Sequence, residues 1–256
     1  MSPEKFALAV GAAVFIGGSL GLISRRVLPE KHVTGGAKDM IGAVVGLLTL
    51  LSALVLGLLI WTAYGVYAGQ NVAIQTLAAK VLQLDFALAD YGPEAKDVRA
   101  QLRQGLGKTI DEIWGANESD VNFVANNFAA AIESLRHRDA TLAALQPSTD
   151  AQTQALAAAK ATVDSIGQSR LQMSFALASP LSIPLIVIVA GWAVLLFFGY
   201  GLMSGGNAAS YAAVAVGALA VASAAYLILD LSGPYSGIFR ASSAPLEQVL
   251  AVMGKE

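Results

Sequence analysis

The sequence predicts an all-α integral membrane protein with four transmembrane helices, paired as two hairpins, and a helical extramembrane insert between the second and third spans. Three observations carry that prediction. Of 256 residues, 55% are hydrophobic and 13% charged, against roughly 25% charged in an ordinary soluble domain. Four long runs lack charge apart from the ends, each sufficient for a hydrocarbon core about 30 Å thick. The stretch from Ala68 to Pro180 differs: it holds nine of the sixteen Lys/Arg and twelve of the eighteen Asp/Glu, and its apolar residues recur at helical spacing.

The first run, Phe6 to Ile23, is a minimal span at about 1.5 Å per residue. A cleaved signal peptide competes for it, with Lys5 as the basic start, but further spans follow and no small-x-small site leads into a soluble domain. The second run, Ile41 to Tyr67, is long enough that it must tilt or project beyond the membrane as a continuous rod. Leu181 to Met203 forms the third span, with Pro184 in its first turn, where a missing N–H costs least. Ala208 to Leu231 forms the fourth, and its many alanines suit close contact with other helices. Gly205-Gly206-Asn207 supplies the turn between these last two.

Within the insert, Ile74, Leu77, Val81, Leu84 and Leu88 define one amphipathic helix, and Val98, Leu102, Leu106, Ile110 and Ile113 a second. Tyr91-Gly92-Pro93 separates them. Asn117 to Asp120 marks another break, with Ser119 or Asp120 as N-cap for a helix carrying Val124, Phe128, Ile132, Leu135 and Leu142. After Pro147-Ser148-Thr149-Asp150, a helix with Leu156, Ala159, Val163 and Ile166 leads toward the third span. The predicted divisions are therefore 1–67, a first transmembrane hairpin; 68–180, the insert; 181–231, a second hairpin; and 232–256, a short C-terminal tail.

Composition also excludes functions. A net charge of −2 without a basic run offers no footprint for nucleic acid. Zero cysteines rule out disulfides, thiolate metal sites and cysteine nucleophiles. His32 and His137 fall in separate segments without ligand spacing and read as surface residues. No cofactor is implied: Gly17-Gly18-Ser19-Leu20-Gly21 and Ser204-Gly205-Gly206 lack the Lys-Ser/Thr ending of a phosphate loop and read as packing and turn glycines. No span carries a central ionisable group, which argues against a proton-driven pump. The absence of a nucleophile and base pair argues against an enzyme. Four spans put both termini and the insert on one side. Arg25, Arg26, Lys31 and Lys38 on the other face balance Lys5, Lys80, Arg170 and Arg240, so charge does not choose the orientation.

One face of the second span is small and weakly polar: Gly42, Gly46, Thr49, Ala53, Gly57 and Ile60, with Ser52, Leu56 and Thr62 adjoining. Close packing against a neighbouring helix explains such a face. The functional alternative is a pore assembled from several subunits, with Thr49, Ser52 and Thr62 supplying hydroxyl dipoles and Leu56 a constriction. The fourth span closes with Leu229-Asp230-Leu231-Ser232-Gly233-Pro234-Tyr235-Ser236-Gly237, then Ile238-Phe239-Arg240. By itself this is an interfacial helix stop, with Asp230 structural, holding the Gly233-Pro234 turn or pairing with a cation such as Arg240.

That closing segment, followed by Ser242-Ser243-Ala244-Pro245-Leu246, resembles the bestrophin-like domain-of-unknown-function family of bacterial membrane proteins. Trp61 ending the second span, Tyr91-Gly92-Pro93-Glu94, the Arg99-to-Arg103 stretch, Glu112-Ile113-Trp114 and Arg170 follow in the family's order over roughly residues 41 to 250. The pattern departs at Thr62-Ala63, where an acidic or amide pair would stand, so no carboxylate role carries over there. The resemblance implies the bestrophin layout: a homo-oligomer, by analogy a pentamer, in the bacterial cytoplasmic membrane, its pore lined by the second span and permeable to small anions, with termini and insert cytoplasmic. The acidic calcium clasp of animal bestrophins has no counterpart, and no metal site is expected. A non-conducting sensor or scaffold, binding a partner through the insert, is the alternative function.

Overall fold

The computed structural model describes residues 2–29, 35–115, 142, 144–178, 183–235 and 237–253. Among them the secondary structure is helical, without strands: α1 (Pro3–Val27), α2 (Gly36–Tyr91), a 3-10 turn (Pro93–Ala95), α3 (Lys96–Trp114), α4 (Asp150–Ala178), α5 (Ile183–Met203), α6 (Ala208–Leu231) and α7 (Ala244–Val252). α1, α2, α5 and α6 are each long and apolar enough to cross a membrane. The fold is thus that of an all-α membrane protein. The break expected at Asn117–Asp120, most of the helix after it and His137 lie outside the described residues, as does His32; Leu142 of that helix is described and buried in the core.

Local chemistry explains the helix ends. α1 begins with Pro3 in its first turn and closes on Arg25 and Arg26, cations that complement the carbonyl end of the helix. α2 stops where Gly92 takes a φ of 115°, a left-handed region open to glycine, and Pro93 then forbids continuation. Ahead of α4, the Gln152 N–H donates to Thr149 Oγ1 and the Gln152 side chain accepts from the Ser148 N–H, a reciprocal capping arrangement. The α5–α6 turn has Gly206 at φ 66° and Asn207 as N-cap, its Oδ1 accepting from the Ser210 N–H at 2.9 Å. Arg26 fastens that turn by donating to the Gly206 carbonyl at 2.6 Å.

The amphipathic helix through Ile74 and Leu88 is the second half of α2, which runs unbroken for 56 residues, the continuous rod that the length of the second run allows. No proline interrupts residues 36–91, and the apolar pattern of the span passes directly into the amphipathic one, so nothing unpairs the helical ladder.

The chain divides into two compact units, Met1–Gly65 with Pro180–Ser232, and Val66–Ser179 with Gly233–Glu256. The C-terminal segment therefore belongs to the same unit as the insert, with α7 against α3. In the first unit α1 lies against both α5 and α6, around a core that includes Val14, Ala193 and Ala218. Glycines allow this approach: a Cβ on Gly21 would lie 2.2 Å from the Phe198 carbonyl oxygen, and one on Gly201 would lie 2.5 Å from that of Gly18. α6 presents Val216 and Leu219 as exposed side chains, so α1 covers it on one side while the other remains open among the described residues.

The second unit has a core from the faces that helical spacing singles out, including Ile74, Leu84, Leu88, Ile110, Val163 and Ile166. One acid sits on this apolar side. Asp85, 3% exposed, receives Arg99 Nε and Nη2 at 2.8 and 2.9 Å, one on each oxygen. Such bidentate pairing offsets the desolvation of a buried carboxylate. Arg99→Met is expected to lower the stability of this unit by about 3 kcal/mol, because an uncompensated charge remains inside. Denaturant melts should show Asp85→Leu/Arg99→Met recovering most of that loss.

Candidate functional site

The candidate face begins on α2. At about 100° per residue, Val45, Ser52, Leu59 and Ala63 fall together, and all are buried. Val45 reaches the α5 backbone, where a Cβ on Gly199 would come within 2.3 Å of its Cγ2. Thr49 flanks this buried side; its hydroxyl donates to the Val45 carbonyl at 2.8 Å and lies 3.2 Å from the Tyr200 hydroxyl. Next around the helix come Gly46, Ala53 and Gly57. All three are exposed, and open space surrounds the Cβ positions of both glycines.

The four residues expected to line a pore therefore occupy different environments. Ser52 is buried and its hydroxyl has no hydrogen-bond partner among the described residues. Leu56 is half-buried beside it. Thr62 is exposed, and its hydroxyl donates to the Leu58 carbonyl at 2.8 Å. Thirteen residues separate Thr49 from Thr62, which puts them about 140° apart around the helix. The hydroxyl protons of Thr49 and Thr62 are thus engaged by their own helix, whereas that of Ser52 is not. Tyr200 was not singled out from sequence; its signal is a phenol within an otherwise apolar span.

A second set of candidates follows α6. Asp230 is buried and accepts a hydrogen bond from the Tyr226 hydroxyl one turn earlier at 3.2 Å. Beyond it the chain enters the other unit, where Pro234 is fully buried and its carbonyl accepts from the Ala241 N–H at 2.7 Å. Gly233 precedes this turn, and Gly237 adopts φ 81° within it, a value that favours glycine. Ser236 lies outside the described residues. Arg240 Nη2 donates to the carbonyls of Ile113 and Trp114 at 3.3 and 2.9 Å, placing a cation at the negative end of α3. Its Nε is buried without a hydrogen-bond partner among the described residues.

Tyr235 joins this turn to the insert. Its ring meets Trp114 edge-on at a centroid distance of 5.9 Å, and its hydroxyl donates to Gln70 Oε1 at 2.9 Å. Gln70 Nε2 in turn donates to the Met173 carbonyl at 3.2 Å, and Trp114 Nε1 to the Ala241 carbonyl at 2.8 Å. Burial pushes the Tyr235 phenol pKa well above its ordinary value, so the hydroxyl remains a donor. Gln70, 2% exposed, escaped notice in the sequence. Its signal is a polar residue four before Ile74, on the apolar side of the helix. Tyr235→Phe should cost about 1–2 kcal/mol, since it leaves the buried Gln70 oxygen without this donor; thermal melts of the purified chain measure it.

Among the described residues no group of three or more His, Cys, Asp or Glu is placed to hold a metal ion. The Bestrophin-like domain matches this chain over residues 11–246. No curated protein and no solved structure matches the chain well enough to add to that finding. With nearly the whole chain matched, from α1 to the start of α7, this protein belongs to the bestrophin-like domain family.

Proposed function

We propose that several copies of this chain assemble into a ring, a pentamer by the bestrophin layout, and conduct small anions along α2. The observation that carries this reading is the exposure of α2 within the protomer. Only 17% of its most apolar window is buried, compared with 39% for α1. Lipid alone can cover such a helix, but the exposed strip of Gly46, Ala53 and Gly57 is suited to backbone approach by another subunit. Family membership adds the channel-like layout.

Anion preference follows from charge. From Ile41 to Leu84 the helix carries Lys80 and no acid, whereas cation pores commonly use acidic rings. Thr49 lies beside the small strip, whereas Ser52 is buried on the side it shares with Val45. Leu56 lies next to Thr49 and narrows the proposed lining; Thr62 falls on the opposite side of the helix from the strip and is left out of it. By the same analogy the protein resides in the bacterial cytoplasmic membrane, with termini and insert on the cytoplasmic side.

The test is to determine subunit number in detergent, then measure flux in liposomes under separate chloride and potassium gradients. A multi-subunit ring with chloride-selective flux supports the reading. A monomer or dimer passing neither ion overturns it and favours a scaffold that acts through the insert. In conducting liposomes, Thr49→Ala should reduce chloride flux several-fold, because Thr49 borders the exposed strip. Unchanged flux would take Thr49 out of the path.

A further inference from the structure

α5 and α6 are joined by a short turn, yet each packs on α1 more closely than on the other. A groove of about 540 Å³ is left between them. Leu22 of α1, Gly201 of α5 and Val214 of α6 form its buried floor, with Phe197 beside them and Ala213 exposed at the rim. Phe197 precedes the end of α5 by six residues and Val214 follows the start of α6 by six, so the groove reaches about 9 Å into the spans from the turn. The hydroxyls around it satisfy one another. Ser210 donates to Asn207 Oδ1 at 2.8 Å and therefore accepts from Ser204 at 2.6 Å. Thr49 spends its proton on the Val45 carbonyl, so Tyr200 is the donor in their contact. These groups hold no polar guest, and what the groove offers within the spans is apolar contact.

Charge is confined to the mouth. Arg26 is exposed and uses one N–H on the Gly206 carbonyl, next to Asn207 of the groove; a guanidinium carries five such donors. Around it, residues 24–40 hold Arg25, Arg26, Lys31 and Lys38 against Glu30 and Asp39, an excess of positive charge at this end of the spans. Within a bilayer an apolar groove is filled by lipid or by another helix. A second copy in the same membrane orientation brings the same cations to the same depth, where like charges oppose it, whereas a lipid phosphate is attracted. We infer that the groove between α5 and α6 binds one anionic phospholipid, its phosphate at Arg26 and the first part of one acyl chain over Leu22 and Val214. This site lies in the first unit and does not depend on ion conduction.

The experiment uses the full chain, stripped of lipid in detergent. Phosphatidylglycerol, phosphatidylcholine with the same acyl chains, and glycerol phosphate are titrated separately, and the adducts are counted by native mass spectrometry. The expected result is one phosphatidylglycerol retained per chain, with affinity at least tenfold above that of phosphatidylcholine, and no retained glycerol phosphate. Arg26→Gln should bring phosphatidylglycerol down to the level of phosphatidylcholine. Ala213→Trp, which keeps every cation but fills the groove from its exposed rim, should weaken phosphatidylglycerol at least tenfold while circular dichroism stays that of the parent chain. Equal retention of the two lipids, retention of glycerol phosphate as tight as that of the lipid, or phosphatidylglycerol binding unchanged in Ala213→Trp would each overturn the assignment. Should Ala213→Trp separate the subunits and leave lipid binding intact, the groove belongs to a neighbouring copy. Lipid binding without ion flux would leave the site standing and count only against conduction.

Discussion

Replacing Gly201 with alanine is expected to prevent α1 from seating on α5. The added Cβ would lie 2.5 Å from the Gly18 carbonyl oxygen and 2.7 Å from the Leu22 nitrogen. Both obstacles are backbone, so no rotamer change relieves them, and the helices must separate. Overpacking of this kind costs up to about 3 kcal/mol, more than the roughly 1 kcal/mol that alanine gains over glycine in helix propensity. Gly21→Ala should behave similarly, its Cβ meeting the Phe198 carbonyl oxygen at 2.2 Å. Folded yield and the onset of thermal aggregation in detergent are the measurements. Parent-like values for both variants would refute the close approach of α1 and α5.

The opposite result is expected at Gly57. Nothing lies within 4 Å of its Cβ position, so Gly57→Leu should leave the protomer folded, with helical content and melting behaviour close to those of the parent. If the exposed strip of α2 contacts a neighbouring copy or lines a pore, the bulky side chain will block one of these roles. We therefore expect loss of assembly, or at least a tenfold drop in chloride flux with assembly retained. Mass measurement in detergent separates the two results. A variant that assembles and conducts like the parent would remove this strip from both roles.

Gly201 and Gly57 have opposite surroundings behind similar local sequence. Both stand in uncharged spans among aliphatic residues, and nothing local distinguishes them. One is locked against backbone and the other faces open space. The hydroxyl residues of α2 present the same problem. Helical spacing gathers Thr49 and Ser52 near one stripe, but burial of Ser52 and the Thr49–Tyr200 contact follow from where α5 lies. Gln70 and Asp85 escaped notice although each is a polar residue on an apolar side, because their partners Tyr235 and Arg99 come from other segments.

By itself the sequence determined the four spans, the helical phase of the insert, the stops at Gly92-Pro93 and Gly205-Asn207, and the family. Each depends on short-range properties: uncharged length sufficient for a bilayer, apolar spacing at 3.6 residues, and backbone preferences of glycine, proline and asparagine. Tertiary structure alone decided that the segment after α6 packs with the insert and which faces of the spans remain uncovered. The reason is the solvent. In a bilayer an apolar helix face is satisfied by lipid or by another helix, so hydrophobicity identifies the face without identifying what covers it.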